Sequence, residues 1–229
     1  RLEFLLLTHQ DYDHIGSALD VLKRYDVGVV YDNGVEHTSK TYENLMTYLA
    51  EEDVSYKVVR DGDFISSPWS GVSIEVLSPS EDLIYKGKKA DVNENSIVLK
   101  VTYGETTYLL TGDAETEAEE YILSTYADID ADILKAGHHG SSSSSTYAFL
   151  KAVTPDVVVI SCGADNDYGH PHIEPLENFA KFTTADKIFR TDINGDVVVT
   201  TDGKEYSVAV RNAPHDASKI LISGNGVKV

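Results

Sequence analysis

The stretch Leu5-Leu6-Leu7-Thr8-His9-Gln10-Asp11-Tyr12-Asp13-His14-Ile15-Gly16 decides how this chain is read. Phe4 to Leu7 form an apolar run that reads as a buried strand, with no turn or cap before it. The chain therefore opens in mid-pattern, and sequence upstream is expected. Four potential metal ligands, His9, Asp11, Asp13 and His14, follow within six residues. A loop at a strand end can turn all four inward. A continuous strand or helix would spread them over different faces. Mixed His and Asp donors suit Zn, Mn or Fe and not calcium, which prefers oxygen alone. Gly16 then allows a close backbone turn into the next helix. The plain alternative is a polar surface loop.

Three further clusters each follow an expected strand. Asp113 ends the run Tyr108-Leu109-Leu110-Thr111-Gly112. Alone it reads as a turn residue or as a ligand. His138-His139-Gly140-Ser141 follows the strand expected over 132–135, where a His pair either packs or ligates. His170 sits in Tyr168-Gly169-His170-Pro171, after Val157 to Ile160. Six of the eight histidines (9, 14, 138, 139, 170 and 172) lie in these clusters. Strand ends are where α/β folds collect active-site groups.

The rest of the pattern alternates. Helices are expected over 16–25, 41–51, 116–126, 146–153 and 176–182, and strands over 27–31, 56–59, 72–77, 132–135, 157–160 and 188–190. Hairpins are expected around Gly104 and at Asp202-Gly203. Residues 82–92 read as a polar loop bearing Lys86, Lys88 and Lys89. The mixture predicts a layered α/β (α+β) arrangement with helices outside mixed sheets. One domain is expected over 1–211, then a tail of weak signals over 212–229.

The 229 residues carry 38 Asp+Glu against 19 Lys+Arg, a net charge of -19. Such a chain has no general attraction for a phosphate backbone or an anionic membrane. No apolar run approaches the ~20 residues of a membrane span. Cys162 is the single cysteine, so no internal disulfide forms.

Together, H-x-D-x-D-H, the strand ending in Thr111-Gly112-Asp113, then Gly137 to Ser141 and Tyr168 to Pro171, resemble the metallo-β-lactamase superfamily. They resemble more closely the C-terminal hydrolase domain of the ComEC-type competence proteins and its stand-alone relatives. Asp11 stands where much of the superfamily has His. Asn95-Ser96-Ile97-Val98-Leu99 and Ser161-Cys162-Gly163 with Asn166 are further matches, and the resemblance runs from about residue 2 to residue 210. It implies an αββα sandwich whose usual first strands are absent here. It also implies two divalent metal ions, Zn or Mn. His9, Asp11 and His138 would hold one, and Asp13, His14 and His170 the other. Asp113 would bridge both, with Asp13, Asp113 and His139 placed as catalytic groups. His139 would be an outer ligand or a donor to a phosphate oxygen.

The resemblance implies a metal-dependent hydrolase of phosphodiester bonds, nuclease-like, with single-stranded DNA as a candidate substrate and an extracytoplasmic setting. An envelope phosphodiesterase of the phosphorylcholine-esterase kind is the alternative within the class. A non-catalytic, metal-stabilised binding module is the alternative outside it, opposed by the full ligand set. Asp11 and the His-His-Gly-Ser run disfavour β-lactam or thioester hydrolysis. Asp192-Ile193-Asn194-Gly195-Asp196 lacks the later ligands of a calcium loop and reads as a hairpin turn. Ser141 is expected to bind phosphate or cap a helix, and Ser143 to Ser145 to cap the helix that follows. Asn95 and Asn166 read as loop organisers. Lys135 reads as structural, though it could reach a substrate anion.

Overall fold

Val157-Val158-Val159-Ile160, all β-branched, fit a pleated sheet buried on both faces. They form an inner strand of the larger of two main sheets. The computed structural model describes residues 1–211 and 216–229. In chain order its elements are β1 (Leu5–Leu6), α1 (Tyr12–Ile15), α2 (Ala18–Arg24), β2 (Val30–Asp32), α3 (Lys40–Glu51), β3 (Tyr56–Val58) and β4 (Val72–Ser78). There follow β5 (Tyr85–Lys86), β6 (Lys89–Ala90), β7 (Val98–Tyr103), β8 (Thr106–Leu110), α4 (Thr116–Thr125), β9 (Ile133–Lys135), α5 (Tyr147–Val153) and β10 (Val157–Ile160). The last are α6 (Ile173–Phe179), β11 (Ile188–Arg190), α7 (Thr191–Asn194), β12 (Val197–Thr201), β13 (Tyr206–Val210) and α8 (Ala217–Ile220).

The larger sheet has the order β11-β10-β9-β8-β7-β4, and the smaller the order β1-β2-β3. Strands β8 to β11 run parallel to one another, with Tyr108 beside Ile133 and Val157 beside Ile133 on the other side. Their C-terminal ends therefore share one edge. Both pairings of the smaller sheet's strands are likewise parallel, Leu5 facing Val30 and Val30 facing Tyr56.

Three apolar clusters make this an αββα sandwich. Tyr31, Ile74, Val76, Ile97 and Leu99 pack between the sheets. Leu7, Val30, Ile15, Leu22, Leu45 and Leu49 seal α1, α2 and α3 to the smaller sheet's outer face. Leu109, Leu134, Val158 and Ile160 join Ile122, Phe149, Leu150, Leu176 and Phe179 of α4, α5 and α6 on the other outside. Burying each such Leu or Ile contributes ~1.5–3 kcal/mol. The hairpin β12-β13 covers the inner face of β9 to β11 through Ile133, Val157 and Phe189.

Three local expectations are corrected, and the tail shows a contact of its own. Residues 82–92 contain a small hairpin, β5-β6, because Asn95 ties it down: its amide donates to Ile84 O and Asp91 O and accepts from Ile84 N. The helix expected over 176–182 is α6, which starts at Ile173 with Pro175 inside its first turn, where a missing N–H costs nothing. Residues 192–196 are not a hairpin turn. Thr191–Asn194 form one helical turn, closed by the Gly195 N–H on Thr191 O at 3.0 Å. The tail is docked from residue 216 onward: Ile220 is fully buried, and the buried Arg190 guanidinium donates to Ile220 O and Ile222 O. The expected domain boundary after residue 211 meets residues 212–215, which lie outside the described residues.

Among the described residues no helix is long and apolar enough to cross a membrane.

Candidate metal centre

The segment after β1 is fixed from several sides. Thr8 O accepts from Ile97 N at 2.9 Å, which ties the smaller sheet to β7. Gln10 is buried and its amide donates to Asp32 and Asn33, while Asn33 Nδ2 donates to Asn95 O at 2.8 Å. Asp11 O accepts from His14 N and Ile15 N, starting α1. Asp13 and His14 thus lie on one helical turn, whereas the sequence reads as a loop throughout. The turn is short enough to keep both side chains facing the same side as His9.

β8 delivers Asp113 to the same place. Gly112 has φ +53°, and a Cβ there would lie 3.0 Å from Thr8 Cβ and 3.1 Å from Ser96 Cβ. A side chain at 112 would push the two sheets apart at the site. The Asp113 N–H donates to Ser96 Oγ, and the carboxylate is 2% exposed.

Four imidazoles converge on Asp113. Its Oδ2 lies 3.2 Å from His139 Nε2, 3.3 Å from His14 Nε2, 3.8 Å from His138 Nε2 and 3.9 Å from His9 Nε2. Burial would raise its pKa, but hydrogen bonds from His139 and His14 and the charge of Lys135 outweigh burial and hold it well below the usual range. Asp13 Oδ2 stands 3.2 Å from His139 Nε2, and His14 Nε2 stands 3.2 Å from that same nitrogen. Asp11 Oδ2 lies 3.9 Å from His9 Nε2. Burial and then His14 lower the His9 pKa to about 3, so at neutral pH it offers a lone pair.

His138 and His139 both have left-handed backbones, φ 42° and 55°. Each such non-glycine residue costs ~1–3 kcal/mol, and strain of that kind gathers at functional sites. Hydrogen bonds hold the turn. His139 Nδ1 donates to Ser161 O at 2.7 Å, and His138 Nδ1 donates to Glu115 Oε1 at 2.8 Å. That bond, foremost, brings the Glu115 pKa down to about 2 despite burial. Ser144 Oγ donates to Gly137 O at 2.7 Å, and Ser143 Oγ donates to Glu115 at 3.0 Å. The expected helix cap at Ser143 to Ser145 is corrected here. Thr146 caps α5, accepting from Phe149 N, and Ser143 and Ser144 brace the His turn. Ser141 Oγ likewise bonds within the run, to Ser143.

The residues fit a metal. His9 Nε2 and Asp113 Oδ1 are buried without a hydrogen-bond partner. Buried polar atoms left in that state are costly unless a ligand completes them. Ligand atoms ~2.0–2.1 Å from one tetrahedral zinc stand roughly 3.3 Å apart. Four separations among Asp13, His14, Asp113 and His139, at 3.2–3.3 Å, match that value, and these four form the group that could hold an ion among the described residues.

The structure brings all seven expected ligands, His9, Asp11, Asp13, His14, Asp113, His138 and His170, around Asp113 and the cavity in front of it. Asp13 Oδ2 and His14 Nε2 each stand 3.2 Å from Nε2 of His139, which sits on the left-handed turn. His170 lines the same cavity, its ring centroid 5.5 Å from that of His138 and 6.3 Å from that of His139. Burial and then His172 lower its pKa to about 4, keeping it neutral. His172 is spent on structure: Nδ1 accepts from Ser142 N and Nε2 donates to Tyr168 O. Lys135 Nζ donates to Gly112 O and Ala136 O, 4.0 Å from Asp113 Oδ1. Sequence reasoning missed Glu115. Its only signal was a carboxylate two residues past Asp113.

Comparison with known proteins agrees with this geometry. The model of the metallo-β-lactamase superfamily matches residues 1–164. ComE operon protein 3 of Bacillus subtilis is 33% identical over 221 residues, which cover 96% of this chain and 27% of that protein. Recombination protein 2 of Haemophilus influenzae is 32% identical over 198 residues, covering 86% of this chain and 22% of its own. The chain spans about a quarter of the length of these curated relatives. Among solved structures, a CmlA β-hydroxylase mutant shares the fold at 14% identity and a TM-score of 0.51, over 83% of this chain and 43% of that one.

Proposed function

This chain belongs to the metallo-β-lactamase superfamily and carries a metal-dependent hydrolase site, and from that premise we propose that it hydrolyses phosphodiester bonds with two divalent ions, Zn or Mn. The observation that carries the reading is the convergence of four imidazoles on one buried carboxylate, Asp113. A single carboxylate with that surrounding can serve two ions at once. His9, Asp11 and His138 would complete one set, and Asp13, His14 and His139 the other, with His170 beside both. Bound divalent ions of this kind lower the pKa of water toward ~7 and neutralise developing phosphoryl charge.

The chain's own groups supply orientation and proton handling. Glu115 and Ser161 O fix the ring planes of His138 and His139 through their Nδ1 protons. Asp13 is the more exposed of the two central carboxylates and would be the one open to take a proton from an attacking water. The name of one relative, a recombination protein, favours DNA as the polymer. The proposal includes an extracytoplasmic setting.

The test is hydrolysis of bis(p-nitrophenyl) phosphate and of single-stranded DNA by Zn- or Mn-loaded protein, with Asp113→Ala alongside. Cleavage of both, abolished by the substitution, is expected. Cleavage of the small diester alone moves the substrate to envelope or nucleotide diesters. Full activity in Asp113→Ala overturns the shared-carboxylate centre.

A further inference from the structure

The cavity in front of the centre has a volume of about 780 Å³. Asp11, Asp13 and Asp113 line it, and none of its lining residues is Lys or Arg. A substrate phosphate there meets no cationic clamp from the protein, and the whole chain carries -19. The usual electrostatic grip on a nucleic-acid backbone is therefore missing from the walls. Any further affinity beyond the metals has to come from uncharged contacts.

Two exposed aromatic rings border the cavity. Tyr12 is 75% exposed and Tyr168 is 78% exposed, although both are large and amphipathic. Neither ring is loose in its setting. Tyr168 stacks on His170 with centroids 5.6 Å apart and planes 19° apart. Its turn is held by Asn166, whose Nδ2 donates to His170 O, whose Oδ1 accepts from His170 N, and whose carbonyl accepts from Gly169 N. His172 Nε2 pins the Tyr168 carbonyl. Tyr12 opens α1 between the ligands Asp11 and Asp13. Its ring lies against Gly16, where a Cβ would come within 3.2 Å of Cε2 and Cζ, so glycine leaves the ring its place.

We propose that Tyr12 and Tyr168 are stacking platforms that hold unpaired nucleobases on either side of the scissile phosphodiester, and that they select single strands over duplex. A ring face takes any base, and stacking needs no positive charge. A duplex has its base faces already covered and presents denser phosphate charge to an acidic wall. The choice of substrate class rests on the phosphodiesterase reading above, but the binding step does not.

The probe is a short oligothymidine with phosphorothioate linkages, compared with a strand of equal length in which every base is replaced by an abasic unit. Binding of both to the Zn-loaded chain is followed by fluorescence anisotropy. The base-bearing strand is expected to bind roughly 5- to 100-fold more tightly, the range for stacking of a base on an aromatic ring. That ratio is expected to collapse toward unity in Tyr12→Ala/Tyr168→Ala and to survive in Tyr12→Phe/Tyr168→Phe, with metal content unchanged in both. Equal binding of the two strands by the native chain overturns the platforms, as does a ratio that survives the Ala pair or tighter binding of duplex. A preserved ratio without hydrolysis of the all-phosphate strand leaves the platforms standing and removes the phosphodiesterase reading. Hydrolysis without base preference does the reverse.

Discussion

Glu115 and His138 form the pair that sets one wall of the centre. Glu115 is ionised and can only accept, so the 2.8 Å bond places the proton of His138 on Nδ1. The lone pair is left on Nε2, 3.8 Å from Asp113 Oδ2. Outer partners of this type fix both tautomer and ring angle. Glu115→Ala is expected to weaken metal binding by ~10–100-fold, while Glu115→Gln retains part of the loss because the amide can still accept. Competition with a chelator, followed by metal analysis, reads the difference.

His139 and His170 differ in the order of their effects. His139 Nε2 lies within 3.2 Å of Asp13, His14 and Asp113, whereas His170 only borders the cavity. His139→Ala is therefore expected to lose more bound metal than His170→Ala. Metal stoichiometry of the two purified variants decides it, and the reverse order would restore the grouping expected from sequence.

Ser144→Ala tests the bracing of the strained turn. Ser144 is buried, and its hydroxyl donates to Gly137 O and Ser141 O. Removing it takes that donor from Gly137 O, while Ser141 O keeps the Ser144 N–H, and a lost buried hydrogen bond costs about 1–3 kcal/mol. Urea unfolding should show that loss together with weaker metal binding. A silent change in both would return Ser144 to the role of a dispensable loop residue.

Glu119 gives the chain a pH dependence unrelated to the centre. Burial raises its pKa from the ordinary 4.5 to about 7, against the opposing bonds from Thr146 and Ser145. Between those values the folded chain keeps a proton that the unfolded chain has released. Its share of stability is therefore full below pH 4.5 and falls as pH rises toward about 7, by an amount on the order of 3 kcal/mol. Relative to Glu119→Gln, which cannot titrate, the native protein is expected to lose urea midpoint as pH rises across that window. A difference independent of pH would show that Glu119 titrates normally.

Much of this protein is legible in its sequence. The apolar runs at 157–160 and 98–103 and the β7-β8 hairpin follow from period and side-chain branching, which are local properties. The ligand residue types were legible for the same reason: four donors within six residues of H-x-D-x-D-H need no partner to be noticed. Strand ends could be read because each of Asp113, the His pair and His170 directly follows an apolar run.

Only the tertiary structure decided how those donors combine. Adjacent residues in one chain segment carry no information about which ring reaches a carboxylate more than twenty positions away. The left-handed turn at His138 and His139 gives that answer, putting His139 beside Asp13, and it depends on bonds from Glu115, Ser144 and Ser161 that cross between segments. The docked residues after 216 were illegible for a like reason: Ile220 and Ile222 bear weak local signals, and the buried Arg190 that binds their carbonyls lies 30 and 32 positions away. Sequence determines which chemistry a strand end can offer, because donor type is a property of single residues. Packing decides which donors meet, because a metal centre is set by distances between segments.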